Sequence, residues 1–174
     1  MTIATIGIDK AIQVFQLSDG SLVEVSVMDT GGQERYAPIV SSYYKNADCC
    51  LLVYDITAES SFDKIKNFYI NELKEKSSNI KKVLLLGNKT DLKDNRKVSE
   101  EMGAQLAKEN NYIFKESSCK DNYNVSSAFE TLIEMTNFEL KNNNLRQRNT
   151  DIGKLTSTPT NDSKIKKNNC CWKL

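Results

Sequence analysis

Three short runs carry side chains that could do chemistry together. Asp29-Thr30-Gly31-Gly32-Gln33-Glu34-Arg35 brings an acid, two glycines and an amide into one loop. An Asp at a strand end suits magnesium, commonly through water. Paired glycines let backbone approach an anion closely, and a Gln can orient a water. The same run also suits a plain glycine turn with a capping Asp. In Gly87-Asn88-Lys89-Thr90-Asp91, the Asp carboxylate can accept hydrogen bonds from both N1–H and the exocyclic amine of guanine. Adenine offers no such donor pair and would leave the carboxylate unpaired. Asn88 can brace the loop and the Lys89 stem can lie over a base, although a chain this rich in Asn and Lys also produces such a string by composition. In Glu116-Ser117-Ser118-Cys119-Lys120, backbone amides could hold the guanine carbonyl oxygen, or a Ser could simply cap a helix.

Elements must bring these runs to one edge. Ile6 to Leu17 is rich in Ile and Val, Ser18 to Ser21 reads as a turn, and Leu22 to Met28 alternates. Together they predict an antiparallel hairpin. Cys49–Tyr54 and Val83–Leu86 are continuous apolar runs, the pattern of strands buried on both faces. Cys49 and Cys50 then serve as small apolar fillers. Phe62, Ile65, Tyr69 and Leu73 fall at helical spacing. Val98, Met102, Leu106 and Ala107 suit a second helix, Tyr112–Phe114 a short strand, and Val125, Phe129, Leu132 and Ile133 a last helix. A hairpin followed by β-α-β-α-β-α predicts an α/β fold with a mixed, mostly parallel sheet. Ligands of such sheets bind beyond the carboxyl ends of the strands, and each of the three runs follows a predicted strand there.

Composition narrows the function classes. The chain has 174 residues, net charge +1, five Cys and no His. Without His there is no His-based acid/base catalysis, Ser-His triad or His-ligated zinc. Near-neutral charge gives no argument for nucleic acid, and no apolar run approaches bilayer length. The Met1–Ala4 start lacks a signal-peptide form, so a cytoplasmic chain with reduced thiols is expected. From Lys141 onward eight Lys or Arg face two Asp, a net +6, which leaves −5 for the first 140 residues. The tail has Asn runs and few large apolar residues, too little to offset ordering entropy. The expected organisation is a domain over 1–140 and a disordered basic tail over 141–174.

These motifs together resemble the Ras superfamily of small GTPases, and most closely the Rab branch. Thr5-Ile6-Gly7-Ile8-Asp9 looks like the effector-switch signature, and Asp29 to Tyr36 like the second switch, continued by Ser41-Ser42-Tyr43-Tyr44-Lys45. Asn88-Lys89-Thr90-Asp91 and Ser118-Cys119-Lys120 match the guanine-binding motifs. The resemblance implies a Ras-like P-loop GTPase fold that binds GTP or GDP with Mg2+ and hydrolyses GTP slowly as a switch in vesicle-mediated membrane traffic. It implies that Thr5 coordinates magnesium and senses the γ-phosphate, that Asp29 holds magnesium through water, and that the Gly32 amide contacts the γ-phosphate. Gln33 would orient the attacking water. Asn88, Lys89 and Asp91 would select guanine, supported by Ser118, Cys119 and Lys120. The implied effector surface comprises Ile6, Gly7, Ile8, Asp9, Lys10, Met28 and Tyr43. Implied partners of this monomer are effectors, an exchange factor, a GTPase-activating protein and the escort and prenyl-transferase machinery.

The sequence departs from the family pattern in places. Gly31 stands where Ala is usual, Lys10 where Phe is usual and Met28 where Trp is usual, which alters the surface read by effectors. No G-x-x-x-x-G-K-[ST] run exists, and none of the seven Gly begins one. The family places that phosphate-cradling loop between its first strand and first helix, so the fold is expected to lack that unit. The expected result is a gap between two strands with unpaired backbone edges. One reading is a GTPase whose first ~30 residues, the size of a strand–loop–helix unit, are missing from this sequence. The other is a membrane-anchored interaction module without effective hydrolysis. The chain ends Cys170-Cys171-Trp172-Lys173-Leu174. A paired Cys near the end resembles Rab tails that carry geranylgeranyl groups, and two lipid chains anchor stably where one is marginal. Lys164, Lys166, Lys167 and Lys173 would add attraction to an anionic cytoplasmic leaflet, placing the chain on the cytoplasmic face of an endomembrane.

Overall fold

A computed structural model describes residues 8–30, 45–77, 79–150 and 166–173. The expected hairpin forms from β1 (Ile8–Gln16) and β2 (Leu22–Thr30), paired antiparallel from Ile8 opposite Thr30 to Gln16 opposite Leu22. Gly20 closes the turn at φ 79°, a backbone state that costs glycine nothing. The Asp19 carboxylate accepts the Ser21 amide at 3.0 Å. The apolar runs become β3 (Cys49–Asp55) and β4 (Lys82–Asn88), and β5 (Ile113–Glu116) follows. Strands β3, β4 and β5 are mutually parallel. Their register sets Asp55 beside Asn88, and Gly87 beside Glu116, at one carboxyl edge.

Alternate residues of β3 feed the two faces of the sheet, as a pleated strand requires. Cys50, Leu52 and Tyr54 pack with Phe62, Ile65, Tyr69, Leu73, Leu106 and Ala107. Cys49, Leu51 and Val53 pack with Val23, Val25, Ala128, Leu132 and Ile133. The first face is covered by α1 (Glu59–Lys64), a π turn (Ile65–Tyr69) and α2 (Ile70–Lys76), which run on without a break, and by α3 (Glu100–Glu109). Helix α3 is capped by Ser99, whose hydroxyl accepts the Met102 amide at 3.3 Å. Met102 itself, expected on the core stripe with Val98 and Leu106, is exposed. Gly87 and Gly103 make room for Tyr54: a Cβ on Gly87 would lie 2.8 Å from the Tyr54 hydroxyl. That hydroxyl is buried with no hydrogen-bond partner among the described residues.

Helix α4 runs from Val125 to Thr150, through the expected domain end at 140. Residues Lys166–Lys173 form a sixth strand, β6. The sheet order is β1-β2-β6-β3-β4-β5. Strand β6 is parallel to β2 over its whole length and parallel to β3 over Cys170–Lys173. The expected gap between two strands is therefore filled, and by the segment that composition made the least apt to be ordered.

Candidate guanine-nucleotide site

The carboxyl edge of β4 and β5 holds two loops that brace each other. After β4 the chain turns at Lys89, whose φ of 72° is left-handed, and enters a 3-10 turn (Thr90–Asn95). The Thr90 amide donates to the Ser117 carbonyl at 3.1 Å, and the Ser117 amide donates to the Gly87 carbonyl at 2.8 Å. The Asn88 side-chain oxygen accepts the Ser117 hydroxyl and the Cys119 amide, each at 3.3 Å. The Ser118 hydroxyl donates to Asp91 at 2.7 Å and accepts the Asp121 amide at 3.1 Å. Ser117 and Ser118 are buried. The Asp91 side chain keeps 9% of its surface and has the Lys120 ammonium 3.9 Å from its other oxygen. One carboxylate oxygen is thus fixed by a hydroxyl while the group still meets solvent, the posture of an acceptor held ready for a donor pair.

Asn88, Asp91, Ser118, Cys119 and Lys120, predicted from separate runs, are therefore brought to one place. The amides of Ser118 and Cys119 are engaged inside the loops, by the Tyr123 carbonyl and by Asn88, so in this structure they brace the site. The Lys89 ammonium pairs with Asp55 at 2.7 Å. Burial pushes the Asp55 carboxyl up, but hydrogen bonds from Lys89 and from the Thr57 hydroxyl and amide outweigh it and hold the group below the usual carboxylate range. Asp29 is half-buried at the far end of β2. Lys10 lies directly opposite Met28 in the hairpin, so two of the altered effector positions are neighbours. Thr5, Ile6, Gly7, Gly32, Gln33 and Tyr43 fall outside the described residues. Of Ile8, Asp9, Cys170 and Cys171 only the backbone is described.

Sequence reasoning missed the frame behind the loops. Arg96 makes a two-pronged pair with Glu116, at 2.6 and 2.8 Å, and also donates to the Val98 carbonyl at 3.1 Å. Asn124 donates to the Glu116 carbonyl at 3.0 Å. Asp55 and Glu116 could have been found, since both end buried strands at the ligand edge. Arg96 carries no such signal. A 410 Å³ cavity lined by Phe15, Leu17, Glu130 and Glu134 lies at the opposite, amino edge. Its two carboxylates make it a poor home for phosphate, so the braced loops are the better candidate.

Among the described residues no cluster of three or more Cys, Asp or Glu is placed to hold a metal. A half-buried Asp29 suits magnesium, which commonly takes one or two carboxylates and completes its shell from water and substrate phosphates. No described helix is long and apolar enough to cross a membrane.

Comparison with known proteins agrees with the geometry. Residues 1–137 match the Ras family. Ras-related protein Rab-8A from Bos taurus and from Rattus norvegicus are each 45% identical over 130 residues, covering 75% of this chain and 62% of theirs. Ras-related protein Rab-8 from Diplobatis ommata is 42% identical over 169 residues, 95% of this chain and 78% of the relative. The chain thus spans about 62% of the length of the Rab-8A relatives it matches. The matched span reaches from the hairpin through both loops that brace Asp91, and on these grounds the chain belongs to the Ras family of small GTPases, in its Rab branch.

Proposed function

We propose that this chain recognises guanine nucleotide through Asp91 and the loops that brace it, and works as a Rab-type switch in vesicle-mediated membrane traffic. The observation that supports this most is the Ser118–Asp91 hydrogen bond at 2.7 Å beside the Asn88 brace, which orients one acceptor for the N1–H and amine of guanine. Lys89 and Lys120 flank it, and the engaged amides of Ser118 and Cys119 support it. Magnesium, held by Thr5 and through water by Asp29, would neutralise phosphate charge when bound. Gly32 would contact the γ-phosphate and Gln33 would orient the attacking water, with slow turnover that a GTPase-activating protein speeds. Effectors would read Ile6 to Lys10, Met28 and Tyr43. An exchange factor would reload the site, and lipid on Cys170 and Cys171 would hold the chain on the cytoplasmic face of an endomembrane.

Equilibrium binding of GDP and ADP in magnesium buffer tests the base reading. GDP is expected to bind at least about a hundredfold tighter than ADP, and Asp91→Ala to abolish the difference, since a missing donor pair strands a polar acceptor. Equal affinities in the unsubstituted chain would overturn it. A second reading is a membrane-anchored interaction module without effective hydrolysis. The series GMP, GDP, GTP separates the two. Affinity rising with each phosphate supports the switch, and flat affinity supports the module.

A further inference from the structure

The two braced loops have a further support, and it comes from β3. Lys89, just after β4, holds a left-handed backbone with φ 72° and ψ 38°. A residue with a Cβ keeps that conformation only where its surroundings over-determine it. Here the backbone is held on both sides. The Asn88 carbonyl accepts the Ile56 amide at 3.1 Å, and the Lys89 carbonyl accepts the Leu92 amide at 2.9 Å. The side chain is held as well, by the Asp55 carboxylate at 2.7 Å.

Asp55 is arranged for that contact. Strand register sets it beside Asn88, the residue before Lys89. Its two carboxylate oxygens have separate tasks. One accepts the Thr57 amide at 2.8 Å and the Thr57 hydroxyl at 2.7 Å. The other faces the Lys89 ammonium. The Asp55 amide donates to the Ser61 hydroxyl oxygen at 3.0 Å, and that hydroxyl donates to the Ala58 carbonyl at 2.7 Å. The carboxylate is therefore aimed before the lysine meets it. The Lys89 side chain is 51% exposed, and an ion pair that open adds little to stability. What the pair does fix is the course of the lysine stem. An untethered lysine samples many rotamers, whereas this one is led from the end of β4 toward the end of β3, along the edge where Asn88 and Asp91 stand.

We propose that Asp55 is a positioning residue for nucleotide: by tethering the Lys89 ammonium, it lays the lysine stem out as a fixed apolar rest for the base. This deepens the reading of these loops as a guanine site and rests on it. The two acids then divide the work. Asp91 chooses guanine by its donor pair, while the stem meets the face of any purine. Loss of the rest therefore weakens GDP and ADP alike, and loss of Asp91 removes the preference between them.

Equilibrium binding of GDP and ADP to the full chain in magnesium buffer tests this in Asp55→Asn, Lys89→Met and the double variant. Asp55→Asn keeps an acceptor for Thr57, and Lys89→Met keeps an apolar stem without its charge. Each single variant is expected to weaken both nucleotides by about tenfold, with the GDP-to-ADP ratio unchanged within about twofold, and the double variant to bind no more weakly than either single one. Lys89→Arg can keep the ion pair and is expected to restore most of the affinity lost in Lys89→Met. That comparison carries the test if Asp55→Asn does not fold. An arginine no better than methionine, or an Asp55→Asn loss that persists in full beside Lys89→Met, would overturn the proposal. So would a collapse of the GDP-to-ADP ratio in Asp55→Asn, since Asp55 would then be holding the loops together rather than placing the stem. GDP and ADP bound equally by the unsubstituted chain, yet weakened together by Asp55→Asn and recovered by Lys89→Arg, would remove the guanine reading and leave the rest standing. No binding of either nucleotide to any variant would overturn both.

Discussion

Strands β4 and β6 both lie parallel against β3, one on each side, and they are held in opposite ways. Strand β4 contributes Val83, Leu84, Leu85 and Leu86, all buried, to clusters on both faces. Its carboxyl end then delivers Asn88 and Asp91 to the two mutually braced loops. Strand β6 sets the backbone of Cys170–Lys173 against the other side of β3, and that of Lys166–Asn169 against β2 alone. Strand β4 is thus fixed by buried side chains on both faces, which suits it to carry a rigid site, while β6 is described by its backbone pairing.

The sharpest way to break that comparison is to compare truncations in the two strands. Leu85→Ala is expected to cost about 2–5 kcal/mol in denaturant unfolding, because Leu85 is wholly buried. Asn168→Ala in β6 is expected to stay within about 0.5 kcal/mol. A β6 loss as large as that at Leu85 would show that the two seats are held alike. Next in size is the frame behind β4 and β5. Arg96→Ala removes a charge-assisted, two-pronged pair whose Glu116 side chain is only 11% exposed. A loss of about 1.5–3 kcal/mol is expected, with faster amide exchange in Thr90–Asn95 and none added in Lys166–Lys173.

A smaller effect is read from acid. The folded-state carboxyl of Asp55 is held below its ordinary value, so its contribution is fully present above the unfolded carboxylate pKa of about 3.9. That contribution is lost as pH falls through the lowered value. Melting curves from pH 5 down to 2 are expected to fall more gently in Asp55→Asn than in the unsubstituted chain. Smallest is Tyr54→Phe. The hydroxyl has no hydrogen-bond partner among the described residues, so its removal is expected to be neutral or stabilising by up to about 1 kcal/mol at pH 7. Burial raises the Tyr54 phenol well above its usual value and Tyr112 to about 12. Above about pH 10 the unfolded chain sheds phenolic protons that the folded chain retains. Stability then declines as pH rises, and the decline is expected to be shallower in Tyr54→Phe.

The sequence spoke clearly wherever side chains decide the structure. Continuous apolar runs marked β3 and β4, helical spacing marked Phe62, Ile65, Tyr69 and Leu73, and the three polar runs fell at strand ends. Asp91 and Ser118 were legible as loop residues at the carboxyl edge because each of their runs follows an apolar strand, and the structure joins them by a hydrogen bond. What was illegible rests on backbone or on distance. A strand that mixes Lys and Asn with Cys170, Cys171 and Trp172 carries neither alternation nor a continuous apolar run. Arg96 meets Glu116 across 20 residues with nothing local to announce it. Met102 obeys helical periodicity but lands on the exposed rim of α3, since period fixes a face only to within about one position.

The hairpin turn also bears on how load travels through the molecule. The Ser18 amide donates to Glu134 at 2.9 Å, and Lys141 donates to Asp19 at 2.5 Å. These contacts rivet the β1–β2 tip to α4, the helix that leads toward the chain's end. Tension applied beyond Lys141 is therefore carried first by the hairpin, whose other end presents Lys10 beside Met28. Both rivets are exposed to solvent, which screens them, so this coupling is stiff in dilute buffer and slackens with salt.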